Sequence, residues 1–172
     1  HPNTTGKNEL NLLKTLLKTI SKVNIPTVWL WPNIDAQSDI YSKEIRKHRE
    51  NTPNGKISFA TNFSPEVFQA LLKNAACAIG NSSSFIRDTS FSGTPVVLIG
   101  NGQIGREVSD NVISLDVFDE ISIENAIRKQ MHVGRYKVSN LYGTGNASEK
   151  IVDVLNEIDL DFEPKILDYI FR

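Results

Sequence analysis

Cysteine is nearly missing from this chain: Cys77 is the only one among 172 residues, which excludes an internal disulfide. Its setting, the apolar run Ala76-Cys77-Ala78-Ile79, predicts a buried structural thiol rather than a nucleophile. Long hydrophobic runs are also lacking, so nothing supports insertion in a membrane. No secretory or transit pattern is present. With its reduced thiol, the chain is expected in the cytoplasm. Charge of one sign is lacking too: 19 basic against 20 acidic residues leave a formal net charge of -1. Neither a broad nucleic-acid surface nor an acidic tail is indicated, and the expected partner is a small molecule.

What is present is enough apolar residue, 40% of the chain, to bury one sizeable core in one domain. Leu10, Leu13, Leu17 and Ile20 recur at helical spacing within 6–23, with Asn24 as the stop. Ile25 to Trp31 reads as a buried strand, and Ser38 to Arg49 as a charged amphipathic helix. Ile57 to Ala60 is a short strand. Ser64 and Pro65 then open a helix that carries Val67, Phe68, Leu71 and Leu72 inward. Ala76–Ile79, Pro95–Ile99 and Val112–Leu115 are further strand runs, and a helix is expected over 122–131. Ala147, Ile151, Val154, Leu155 and Ile158 line one face of another, and 164–171 reads as a last short helix.

Strands alternating with helices at this spacing predict a doubly wound, Rossmann-like α/β domain with a parallel sheet. Ligands in such sheets sit beyond the carboxyl ends of the strands. The loops to inspect are therefore 1–5, 32–35, 61–64, 80–84 and 100–107. The chain opens at His1-Pro2 with a helix and no strand before it, so the first strand is expected to be missing and the chain to be a fragment.

The loop Gly80-Asn81-Ser82-Ser83-Ser84 leads from a strand into a helix. Unpaired backbone N–H groups at such a start favour an anion, and phosphate suits the place, although a serine-capped turn of no further purpose has the same appearance. Asp88 lies six residues after Ser82, where a carboxylate can reach a ribose; a solvated helix charge is the plainer reading. Gly93-Thr94-Pro95 stops the helix. Arg106, at the end of a Gly-rich stretch after the next strand, is a candidate to neutralise phosphate, or else to pair with Glu107 or Asp110.

Five blocks occur in one order: Trp31-Pro32-Asn33-Ile34-Asp35, Gly80-Asn81-Ser82-Ser83-Ser84, Gly93-Thr94-Pro95, Gln103-Ile104-Gly105-Arg106-Glu107 and Leu141-Tyr142-Gly143-Thr144-Gly145-Asn146-Ala147. Together they resemble the hydrolysing UDP-N-acetylglucosamine 2-epimerases, in particular the branch that starts sialic acid synthesis. The resemblance covers His1 to about Ile158 and implies the C-terminal, UDP-binding domain of a two-domain, glycosyltransferase-B-like fold.

It further implies that Ser82 and Ser83 hold the diphosphate and that Asp88 stands where the family usually has a ribose-binding Glu. Phe63 then matches a position whose main chain meets uracil, and Asn33 a nucleotide-pocket position. Arg106 supplies a cation, and His1 faces the diphosphate and the reacting sugar as a catalytic residue. A His beside a leaving diphosphate can donate a proton or hydrogen bond as charge develops. Gly102 departs from the pattern, since this branch commonly has Arg there.

The implied chemistry is anti elimination of UDP followed by hydration to N-acetylmannosamine. It needs no metal or other cofactor, with UDP entering as part of the substrate. Most of the acid and base carboxylates belong to an N-terminal domain absent here, and the implied partners are the UDP-sugar, that missing domain and further copies in a homo-oligomer. Two other readings stay open: the donor half of a glycosyltransferase-B enzyme, and a non-catalytic sugar-nucleotide binding module.

Overall fold

The computed structural model describes residue 2, residues 9–115 and residues 119–158. In chain order the elements are α1 (Glu9–Val23), β1 (Thr27–Leu30), α2 (Ser38–Asn51), β2 (Ile57–Ala60), α3 (Pro65–Asn74) and β3 (Ala78–Gly80). They continue with α4 (Ser84–Ser90), β4 (Val96–Ile99), β5 (Val112–Leu115), α5 (Glu120–Val133) and α6 (Ala147–Glu157). Compactness divides the chain after Tyr142. The first unit holds every strand among the described residues. In the second, α6 carries an apolar row in which Ile151, Val154 and Leu155 are each more than half exposed.

Local chemistry explains the element ends. α1 buries Leu13, Leu17 and Ile20 at i, i+4 and i+7, one stripe of a helix. It stops at Asn24, whose positive φ of 56° and N–H bond to the Ile20 carbonyl at 3.2 Å make a left-handed cap. Pro65 takes the first position of α3, where no N–H is needed, and the Ser64 hydroxyl accepts from the Val67 N–H. α5 begins two residues ahead of the expected start because Asp119 caps it, accepting from the Ser122 N–H at 2.8 Å.

The strands form two parallel sheets, β1–β2 and β3–β4–β5. β4 is central to the larger one, and all four of its residues are buried, as expected of a strand covered on both faces. Val97 and Ile99 pack with Ile20, Ile123 and Ile127 of α1 and α5. Val96 packs the other way, with Leu72 of α3 and with Phe68 and Phe85. Alternation along one strand thus separates the two helix layers. α2 joins α1 on the first face through Tyr41 and Ile45 against Leu13 and Leu17. The domain is a doubly wound, Rossmann-like α/β fold with helices on both faces.

Several expectations need correction. The strand expected to be buried over 25–31 is shorter and half-buried, and Val28 is 48% exposed, because among the described residues β1 has a neighbour on one side only. Val67 is exposed while Leu72 is buried; at 3.6 residues per turn the inward stripe of α3 runs through Phe68 and Leu72 and leaves Val67 beside it. Gly93 does more than stop a helix. Its φ is 62°, and a Cβ there would lie 2.0 Å from the Tyr136 carbonyl, which is where the Tyr136 N–H reaches back to the Gly93 carbonyl at 2.9 Å.

Cys77 is only half-buried by surface, yet burial pushes its thiol up to about 12, so it stays protonated and unreactive near neutral pH. The expected helix at 164–171 and His1 lie outside the described residues. Among the described residues, no helix is long and apolar enough to cross a membrane.

Candidate functional site

β1, β2 and β3 end at one rim, and there the loops open onto a cleft of about 630 Å³, within the range of roughly 300–1,000 Å³ usual for small-molecule sites. Asn33, Phe63, Ser82 and Asp88 all line it. Four residues spread over 56 positions of sequence therefore meet because parallel strands deliver their carboxyl-end loops to the same side. Ser83 and Arg106 do not line the cleft.

The loop after β3 starts with Gly80, whose φ of 147° leaves the region open to side-chain-bearing residues; a Cβ there would press on the Phe85 ring at 3.1 Å. The Phe85 N–H bonds the Ser82 carbonyl at 3.1 Å, and the Ile86 and Arg87 N–H groups bond the Ser83 carbonyl at 3.1 and 3.0 Å. The Ser84 N–H reaches the Ser82 hydroxyl at 3.4 Å. The N–H groups of Ser82 and Ser83 carry no hydrogen bond among the described residues, so the loop keeps two donors for a ligand.

Ser83 is engaged through its side chain, accepting from Arg87 Nη2 at 3.1 Å. Arg87 is not among the residues that the sequence motifs single out, although its i, i+4 spacing from Ser83 along α4 signals the pair. The loop of 101–107 is tied to the serine loop by Gln103, whose Nε2 donates to the Asn81 carbonyl at 2.9 Å. Gln103 Oε1 is buried without a partner among the described residues. No local pattern pointed to Gln103, because its partner lies 22 residues away. Arg106 forms no ion pair with Glu107 or Asp110 among the described residues, which leaves its charge uncommitted.

On the opposite wall the Trp31 ring packs against Phe59 with centroids 6.1 Å apart. The guanidinium groups of Arg46 and Arg49 lie 5.9 and 6.0 Å from its centroid. Two cations over one indole hold Trp31 in place at the entry to the Pro32-Asn33 turn. No group of His, Cys, Asp and Glu able to hold a metal ion occurs among the described residues.

Strands that end together over a cleft, with helices on both faces, define the Rossmann-like class of α/β domains. The sequence model of a family described as UDP-N-acetylglucosamine 2-epimerase matches residues 1–156, and the chain belongs to that family. It is 31% identical over 147 residues to a UDP-N,N'-diacetylbacillosamine 2-epimerase (hydrolyzing) of Legionella pneumophila, covering 86% of this chain and 38% of that protein. Similarity to a UDP-N-acetylglucosamine 2-epimerase of Neisseria meningitidis is 25% over 130 residues, 74% of this chain and 33% of that protein. To a GDP/UDP-N,N'-diacetylbacillosamine 2-epimerase (hydrolyzing) of Campylobacter jejuni it is 31% over 121 residues, 69% of this chain and 31% of that protein. The chain spans about a third of the length of these curated relatives.

Proposed function

We propose that residues 1–172 are the UDP-binding domain of a hydrolysing UDP-N-acetylglucosamine 2-epimerase. The whole protein would expel UDP by anti elimination and hydrate the resulting 2-acetamidoglucal to N-acetylmannosamine. The observation that carries this reading is the meeting of Asn33, Phe63, Ser82 and Asp88 around one cleft in a chain of this family.

In this reading the free N–H groups of the serine loop receive the diphosphate, where a low-dielectric wall strengthens each bond. Ser82 and Ser83 add hydroxyls. Asp88, three residues beyond Phe85 on α4, takes the ribose hydroxyls, and being shorter than Glu it does so directly or through one water. Phe63 and Asn33 frame the base side, and Arg106 and Arg87 balance the phosphate charge. His1 is the proposed catalytic residue of this half, donating to the leaving diphosphate. The remaining acids and bases come from the N-terminal domain, and the assembly is a homo-oligomer in the cytoplasm, without metal or cofactor.

The test uses the full-length protein with UDP-N-acetylglucosamine, with and without an acceptor sugar. Release of N-acetylmannosamine and UDP without acceptor is expected, and intact transfer of the sugar to an acceptor would overturn the reading. Replacing Ser82 and Ser83 together with leucine should abolish UDP binding by calorimetry while circular dichroism stays unchanged. The names of two relatives favour a second substrate, the UDP-linked diacetyl sugar. A higher kcat/KM for that sugar than for UDP-N-acetylglucosamine would decide for it.

A further inference from the structure

Asparagine is followed directly by glycine at two places in this chain, Asn54-Gly55 and Asn101-Gly102. The pair has a chemistry of its own: a following residue without a Cβ lets its backbone nitrogen swing onto the asparagine side-chain carbonyl carbon. All four residues are exposed. In sequence and exposure the two pairs are alike, and their hydrogen bonds separate them.

At the first pair the attacking nitrogen is occupied. The Gly55 N–H donates to the Thr52 carbonyl at 3.0 Å and closes a turn, and a Cβ on Gly55 would lie 3.2 Å from that same oxygen. A backbone nitrogen must shed its proton to become a nucleophile, and one that is bonded and crowded neither sheds it readily nor turns from its acceptor. At the second pair the nitrogen is free. The Gly102 N–H has no hydrogen-bond partner among the described residues, and a Cβ there would meet nothing within 4 Å. Asn101 sits between two glycines, of which Gly100 has a φ of 83°, so little resists the rotation that ring closure needs. The one tie on this peptide unit runs from the Ile104 N–H to the Asn101 carbonyl at 3.2 Å, and it leaves the nitrogen's proton exposed.

The location matters as much as the reactivity. Two positions after Asn101, the Gln103 side chain fastens the loop of 101–107 to the Asn81 carbonyl at 2.9 Å, and Asn81 lines the cleft.

We propose that Asn101 is a site of self-modification, where the protein turns a neutral amide into a carboxylate beside its cleft. The Gly102 nitrogen gives its proton to water or hydroxide and bonds to Asn101 Cγ. The bond from Cγ to the side-chain nitrogen breaks, and that nitrogen takes up a proton and leaves as ammonia. Water then opens the five-membered imide. Breaking the new bond at Cγ yields aspartate, whereas breaking the bond at the main-chain carbonyl carbon yields isoaspartate, through which the backbone runs by one extra carbon. Nothing is oxidised or reduced, and water is the co-reactant. Both products add a negative charge, and isoaspartate also lengthens the loop just ahead of the Gln103 anchor. Where the cleft holds UDP, a consequence that rests on the proposed function, the modified protein holds the diphosphate less well.

Peptide mapping by mass spectrometry tests the site on the full-length protein, kept without nucleotide at mildly alkaline pH and sampled over time. Asn101 is expected to lose its amide about tenfold faster than Asn54, the worth of about one hydrogen bond. Equal rates, or Asn54 leading, would overturn the assignment. In urea, where the Thr52 turn is lost, the two rates should come within about twofold of each other. A native-sized difference that persists there would show that the fold does not choose the site. Gly102→Ala, whose Cβ has room, should bring the loss at Asn101 down to the rate at Asn54 or below, and undiminished loss would exclude ring closure. Calorimetry reads the consequence: Asn101→Asp should bind UDP about three- to tenfold more weakly than the native protein at low salt, and equal affinity would overturn the effect of the charge. A native protein that binds no UDP would defeat the proposed function and leave the modification site standing.

Discussion

The Gln103 side-chain amide donates to the main-chain carbonyl of Asn81 at 2.9 Å, fastening the loop of 101–107 to the serine loop beside the cleft. Removing that donor frees one loop from the other. Gln103→Ala is expected to weaken UDP binding by roughly five- to tenfold, the worth of about one hydrogen bond, with little change in Tm. Calorimetry on the full-length protein checks it, and unchanged affinity would detach Gln103 from the site.

Gly102 has open space around it: a Cβ there meets nothing within 4 Å, and its backbone does not require glycine. Gly102→Arg should therefore fold normally and add a cation on the phosphate side. UDP binding should tighten by about three- to tenfold at low salt and the gain should shrink as salt rises. An affinity that does not move would mean that Arg106 and Arg87 already suffice.

Beneath β4 lies a buried polar knot. Gln130 donates from Nε2 to the Val96 carbonyl at 2.7 Å and to that of Asn111 at 2.9 Å, and accepts from the Tyr136 hydroxyl at 2.6 Å. Asn111 Nδ2 in turn donates to the Thr94 carbonyl at 2.7 Å. Gln130→Leu strands the hydroxyl and leaves two carbonyls short of a partner. It should cost about 2–3 kcal/mol in urea unfolding, without altering UDP affinity in the folded protein.

His48 joins α2 to α1 through a 2.8 Å contact between its Nε2 and the Ser21 hydroxyl. Burial holds its pKa below the ordinary 6.5, so the folded state favours the neutral ring. The stability linked to this group is full above 6.5 and is lost as the pH falls through the lower folded-state value. Tm measured from pH 8 to 5 should fall further for the native protein than for His48→Gln, which keeps a polar partner for Ser21 but does not titrate. Parallel curves would exclude the linkage.

Much of the fold could be read from local pattern. β2 and β5 stand where alternation and β-branched residues put them, α3 starts at its Ser64-Pro65 signal, and Asn24 ends α1 as a left-handed cap. The site was legible as a set of loops rather than as contacts. Asn33, Phe63, Ser82 and Asp88 share a cleft; Arg87 against Ser83 is signalled by its i, i+4 spacing, whereas Gln103 against Asn81, 22 residues apart, has no local signal. Val67 and β1 are less buried than their pattern predicts, because an apolar residue on a helix or strand reports what it can bury and not what stands beside it.

The sequence by itself determined the alternation of strands and helices, the caps and turns, and the family, because each of these depends on residues close along the chain or on their order. Only the tertiary structure decided that the described strands divide into two sheets, that Asn33, Phe63, Ser82 and Asp88 line one cleft, and that Gln103 holds Asn81. Strand pairing and side-chain contact join residues tens of positions apart, and the energy of each depends on the neighbour that completes it.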